Sequence, residues 1–430
     1  MPTICQGLVV RAFIILAVLA SSVFAAANQV IEVYNPAGIR EDGAYIDKLL
    51  KAVMAATGKT RPSLAGEFVE GRTEKITIVK DAFAEVNDLF YKRGWGDGLP
   101  IVPPTAELVK EMLRGVDMPA EKVIASVPPK GGQATVEKIA VNAVMAGCRP
   151  EYMPVLIAAV EAVSDPEFNL SQVSTTTSND SPLIIVSGPI ARQLDINSGS
   201  NALGRGWRAN ATIGRALHMI INNIGGSWPG VNDMSTLGQP SEFANCVAEI
   251  EEGNPWTPLR VDLGHSKDSN LVTVVTAESY QAVVGLGLTS EQFLSLLADR
   301  LVGLHSARMG VLLLILNYDT VDILAGDGWT KDGLKKYIAE HAVTPASEFK
   351  KRFNRPSGEA PGASDSIPGA TNASKAMIPT PAIDQLLILV AGGPPGEKNM
   401  IVPVWGSSKA VSREVKLPAN WKKVLAAAGK

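Results

Sequence analysis

The sequence predicts an α/β fold, a layered sheet with helices on both faces plus a short N-terminal appendage, and three observations carry that expectation. Short apolar runs rich in β-branched residues or leucine recur at Ser181–Val186, Leu271–Val275, Val311–Leu316 and Leu386–Val390, each ending near Gly, Asn or Ser. Helical patterns lie between them, including Ser290–Leu304. Strands that are apolar along their whole length belong to sheets covered on both sides. The third observation is size: 430 residues, 46% hydrophobic and 19% charged, suffice for a large buried core.

The elements follow in chain order. Met1–Arg11 carries one positive charge, Ala12–Phe24 is uncharged and mostly apolar, and Ala25-Ala26-Ala27 offers small residues for cleavage, so residues 1–27 read as a secretory signal. The apolar run is shorter than the roughly 20 residues of a bilayer span, so no stable membrane anchor is expected after its removal. Residues 28–80 read as an appendage with an extended start, IEVYNPAG, and a helical pattern at Tyr45–Ala56. The main domain, 81–430, opens with a helix whose Phe83, Val86, Leu89 and Phe90 share a face and which Gly94 ends. The loop GWGDGLPIVPPT follows, then helices at Ala134–Ala146 and Pro154–Val163. Pro345–Pro381, rich in Ser, Gly and Pro, reads as a long polar excursion.

Composition excludes some functions. The net charge is −3, and a chain starting at Asn28 carries −4 because Arg11 is the only charged residue before it. No nucleic-acid partner is implied. Outside the signal the cysteines are Cys148 and Cys246, which are either one disulfide or two buried thiols in an oxidising compartment. No CxxC or HExxH pattern marks a metal site, no GxGxxG or GxxxxGK[ST] marks a nucleotide site, and the sequence indicates no particular cofactor.

The densest functional signal is Ser187–Arg215, SGPIARQLDINSGSNALGRGWRANATIGR. Glycines here allow close backbone approach, and Arg192, Arg205, Arg208 and Arg215 face one acid, Asp195. A helix from Ala211 to Ile224, capped by Asn210, would present free N–H groups beside those arginines, which suits a carboxylate or phosphate. Asn197, Ser198, Asn201, Arg205, Arg208, Asn210 and Arg215 are the expected substrate-binding residues. Singly, each arginine is as well read as solvent-facing or paired elsewhere.

Four residues are candidates for catalysis. Asp97 sits among Gly94, Gly96 and Gly98, as a general base or as the cap of its own turn. His218 lies one helical turn after Arg215 and is the best placed histidine for proton transfer; His265, His305 and His341 are scattered. Cys246 is read in a helix, sharing a face with Val247 and Ile250, with Glu249 one turn away pointing inward. Cys148, at a helix carboxyl end beside Arg149, is either a nucleophile or a packed thiol.

GWGDGLPIVPPT (94–105), TVEKIAVNAVMAGCRPEYMPV (135–155), NSGSNALGRGWRANATIGRA (197–216) and AGGPPGEKNMIVPVWG (391–406) occur in this order. Together they resemble bacterial proteins found fused or adjacent to the UGSC-motif (seleno)protein domain, over most of Asp81–Val415. The resemblance implies an association with redox or small-molecule enzymes. The Gly-Ser-Cys motif itself is absent.

The function expected from these readings is an exported, periplasmic or secreted, small-molecule enzyme. Its substrate is anionic and held in the Gly/Asn/Arg-rich segment, and its step is a lyase, hydrolase or redox step. A periplasmic solute-binding protein and an accessory subunit of a UGSC-type enzyme are the alternatives, with a protein partner or a second copy of the chain left open.

Overall fold

The computed structural model describes residues 29–37, 72–78, 81–304, 309–345, 377–379 and 386–430. The secretory signal, the helical pattern at Tyr45–Ala56, His305 and most of the Pro345–Pro381 excursion lie outside the described residues. Among the described residues no helix is long and apolar enough to cross a membrane.

The fold is α/β. Strands β1 (Gln29–Tyr34) and β2 (Thr73–Ile78) form an antiparallel pair from the appendage. Helix α1 (Ala82–Lys92) starts at Asp81, whose side chain accepts from the Ala84 amide, and buries Val86 and Phe90. Phe83 is exposed, so the expected apolar face is narrower than its spacing suggests. Gly94 turns the chain at φ +67°. Then come α2 (Ala106–Met112), the hairpin β3 (Val123–Val127) and β4 (Gly132–Thr135), α3 (Val136–Ala146) and α4 (Met153–Val163). Helix α3 begins two residues later than the apolar pattern because Gly132–Thr135 pairs with β3 and the Thr135 hydroxyl caps the Lys138 amide.

Strand β5 (Ser181–Ser187) leads through the Gly/Asn/Arg segment to α5 (Arg208–Asn223) and β6 (Cys246–Ala248). β7 (Leu271–Ala277), β8 (Gln281–Val284), α6 (Ser290–Leu304), β9 (Met309–Leu316), α7 (Tyr318–Gly326) and α8 (Lys331–His341) follow. β10 (Val343–Pro345) and β11 (Met377–Pro379) pair with each other. β12 (Leu386–Val390), β13 (Lys398–Trp405), β14 (Val411–Glu414) and α9 (Trp421–Ala427) complete the chain.

The main sheet runs β12-β9-β13-β7-β5-β6, with β14 on β7 and β8 on β13. It is mixed: β5 with β6 and β9 with β12 are parallel, and β7 and β13 run against their neighbours. Helices α3, α4 and α5 pack on Ile184, Val186, Val272 and Val274, while α6, α7 and α8 pack on Leu312, Leu314 and Ile388. The alternate residues, Leu183, Ile185, Val275, Leu313 and Val402 among them, form a third aliphatic layer with Leu259 of the short helix Leu259–Asp262. The edges meet at one end, where Ile250, two residues past β6, donates to the Val390 carbonyl at 2.8 Å.

Two local expectations are corrected. Cys246 is in a strand, not a helix: Cys246, Val247 and Ala248 satisfy their backbone by pairing with Ile184, Ile185 and Val186. Asn210 is not the N-cap of α5. The helix starts at Arg208 behind Trp207, and the Asn210 side chain turns sideways into the preceding loop. There its Nδ2 donates to the carbonyls of Asn197, Ala202 and Cys246, and its Oδ1 accepts from the Asn197 amide at 2.8 Å. The helix comes so near β6 that a Cβ on Gly214 would stand 2.3 Å from the Asn245 amide nitrogen.

Asn210 is thus the staple between loop, helix and sheet. Asn210→Ala orphans the Ala202 and Cys246 carbonyls and the Asn197 amide, while the Asn197 carbonyl keeps the Ala248 amide as a donor, and we expect it to lower stability by about 3 kcal/mol, read as a shifted denaturation midpoint at unchanged slope.

Candidate functional site

The face of α5 that carries Arg215, His218 and Asn222 follows the i, i+3, i+7 spacing of one helical stripe. It looks at the Gly94–Gly98 loop. Asp97 accepts from Arg215 Nε at 2.7 Å and Nη2 at 2.8 Å, and Nη2 also reaches the Pro100 carbonyl at 3.0 Å. Asp97 Oδ1 accepts from the Leu99 amide at 3.1 Å as well, so the capped-turn reading of this residue holds. With both oxygens engaged, Asp97 positions the loop instead of abstracting a proton.

Beneath the loop lies a cavity of about 280 Å³ lined by Asp97, His218, Asp180, Asp233, Glu242 and apolar groups that include Trp228. The structure therefore brings together two of the four expected catalytic residues, Asp97 and His218. His218 is held neutral: burial lowers its pKa to about 4, against the opposing pull of Asp97. Its Nε2 lies 3.4 Å from Ser181 Oγ. Tyr280 Oη donates to Asn245 Oδ1 at 2.6 Å, which turns Asn245 Nδ2 toward Ser181 Oγ at 3.3 Å. Ser181 Oγ thus joins His218 Nε2 to the Asn245–Tyr280 pair. Ser181 itself is fully buried, which gives it a positioning role and no access to a substrate.

Asp180 is the group the sequence reading missed. It stands immediately before β5, both of its oxygens are out of solvent, and neither has a hydrogen-bond partner. Burial pushes its pKa up to about 7, and the nearby Glu278 and Glu242 add to the shift. Asp233 and Glu242 are also raised, chiefly by burial, although each accepts a backbone N–H, from Ser235 and Gln239 respectively. An acid at the entrance of a wholly apolar strand was the available signal, since the strand leaves it little room to reach water.

A second cleft, of about 530 Å³, opens beyond the carboxyl ends of β5 and β6 and is lined by Asn197, Ser198, Glu249, Arg192, Arg260 and Trp207 among others. Both of its arginines are paired, and Asp195 and Glu249 leave an excess of acids in its lining. Arg260 pairs with Glu251, and Arg192 pairs with Glu252 at 3.3 Å. Glu249 accepts from Ser187 Oγ at 3.1 Å and the Leu259 amide at 2.8 Å, and burial raises its pKa to about 7. The Asn197 side chain bonds within its own loop, to the Gly199 amide and the Ser200 carbonyl.

The arginines of the Gly/Asn/Arg segment do not converge. Arg205 and Arg208 are exposed, neither guanidinium has a hydrogen-bond or ion-pair partner among the described residues, and neither residue lines either of these hollows. Arg215 belongs to Asp97. Asn201 is exposed and donates to the Arg205 carbonyl at 2.6 Å. Cys148 lines neither hollow; its Sγ donates to the Thr212 carbonyl at 3.2 Å, and burial pushes its pKa up to about 12, so it is a packed thiol. Cys148 and Cys246 are both free.

The chain matches no protein-family model and no curated protein. The resemblance to UGSC-associated proteins rests on its four sequence motifs alone.

Arg215→Met leaves Asp97 unpaired and the loop unclamped, and should cost about 2–4 kcal/mol. Adding Asp97→Asn should recover part of that loss, which a double-mutant cycle measures as coupling between the two positions.

Proposed function

We propose that this chain is an exported enzyme that acts on a small molecule in the Asp180–His218 cavity by moving a proton, in a hydrolase or lyase step. The observation that carries the reading is Asp180: a buried carboxyl without a partner, titrating near 7, in a cavity that also holds a neutral, oriented imidazole. A general acid or base works best when its pKa lies near the working pH. Asp180 meets that condition, and the neutral His218 imidazole has one ring nitrogen to donate and one to accept. The export part of the reading rests on the charge and apolar pattern of residues 1–27.

An anionic substrate gains nothing from this geometry. Among the described residues no lysine or arginine lines the cavity, Arg215 at its loop is neutralised by Asp97, and the remaining acids repel an anion.

The test pairs turnover with stability. Across a panel of small esters, amides and elimination substrates, Asp180→Asn should lower any turnover found by 10²-fold or more, and the parent's pH–rate profile should bend near 7. Turnover that survives Asp180→Asn contradicts the proposal. Stability gives an arm that needs no substrate. Between about pH 4 and 7 the unfolded chain gives up the Asp180 proton while the folded chain keeps it, so this residue weakens the fold as pH rises through that window. Asp180→Asn removes the effect, so its melting point should rise relative to the parent between pH 4 and pH 8, by the equivalent of roughly 4 kcal/mol.

A further inference from the structure

The Asp180–His218 cavity is lopsided in charge. Asp180, Asp233 and Glu242 line it, and no lysine or arginine does. Its histidine is uncharged, and its fourth acid, Asp97, is already matched by Arg215. The groups acting on Asp180 are acids too: Glu278 from the end of β7 and Glu242 from the turn before β6. Glu242 in turn feels Asp233. Lys130 sits over the ring of Trp228, one of the lining residues, at 4.5 Å and does not itself line the cavity. A carboxyl whose oxygens are out of solvent and have no hydrogen-bond donor is stable only when it is protonated or when a donor comes from outside the chain. Asp180, with two buried and unpartnered oxygens, is the place where such a donor would bind.

The remaining walls say what the donor is attached to. Leu170, Val173, Ile221 and Trp228 are buried apolar surface, and Tyr91 and Phe243 stand half-exposed at the rim. The volume of about 280 Å³ holds roughly nine waters at about 30 Å³ each, which fits a compact organic molecule. A bare metal ion fits less well: among the described residues no three His, Cys, Asp or Glu side chains are arranged to hold one. Resting on the cavity being the active site, we infer that its ligand is a small organic cation, an ammonium carried on a compact apolar or aromatic body, with the ammonium set against Asp180 and the body against Trp228.

Three probes of one shape and different charge test this: benzylamine, benzyl alcohol and benzoate, titrated calorimetrically into the protein. Benzylamine should bind at least tenfold more tightly than benzyl alcohol, and benzoate should not bind. A proton on Asp180 competes with the ammonium, so benzylamine affinity should rise about tenfold from pH 6 to pH 8 and level off above that, with proton release seen in buffers of different ionisation enthalpy. Asp180→Asn should abolish the pH dependence and the preference for the amine while leaving the alcohol unaffected. Amine binding no tighter than the alcohol, or binding of benzoate, overturns the inference. If the amine preference is missing but a turnover still depends on Asp180, the cation assignment fails and the acid–base site stands. If binding and turnover both ignore Asp180→Asn, both fail.

Discussion

The ion pair between Arg215 and Asp97 is the interaction on which the site depends. It ties the Gly94–Gly98 loop to the middle of α5, so that the loop roofs a cavity whose floor is the same helix. Arg215 is engaged by Asp97, and Asp180, Asp233 and Glu242 have no lysine or arginine beside them among the described lining residues. The position of the loop follows from one contact, because Arg215 is planar and bidentate and fixes the carboxylate in direction as well as distance.

Helix α5 serves both purposes because its faces differ. Ile213, Leu217 and Ile220 bury one side against the sheet and α3, and Gly214 allows the approach to β6. Asn210 fastens the first turn to three carbonyls. The helix is thereby fixed at its start and along its back, and the Arg215–His218–Asn222 stripe is free to face the cavity. The opposing acids work against the fold. A carboxyl whose pKa is raised by burial destabilises the native state at neutral pH, so Asp180 and Glu242 lower stability at the cavity they line.

Much of the architecture is legible in the sequence. The four apolar runs are strands of the main sheet, and the periodic segments between them are helices, because continuous apolar runs and 3.6-residue stripes are local properties. Asp97 and His218 were also visible, one by its glycine neighbours and the other by its place one turn after Arg215. What the sequence could not show is which charges meet. Arg215 lies 118 residues from Asp97, and whether it binds a ligand or a carboxylate depends on where the Gly94–Gly98 loop lands. Arg205 and Arg208 look alike in the sequence and end at the surface. Cys246 reads as helical because its three strand residues are too few to show alternation. Asp180 is ordinary in composition and becomes unusual only when β5 buries it beside Glu242 and Glu278.

The account turns on Asp180 being a carboxyl without a counter-charge. The most direct measurement is a carboxyl 13C NMR titration of the aspartate-labelled protein, with Asp180→Asn used to assign the resonance. The account predicts that the signal lost in the variant titrates near pH 7. A signal that titrates near pH 4, in the ordinary aspartate range, would mean that the cavity carries no uncompensated acid at neutral pH and would contradict the account.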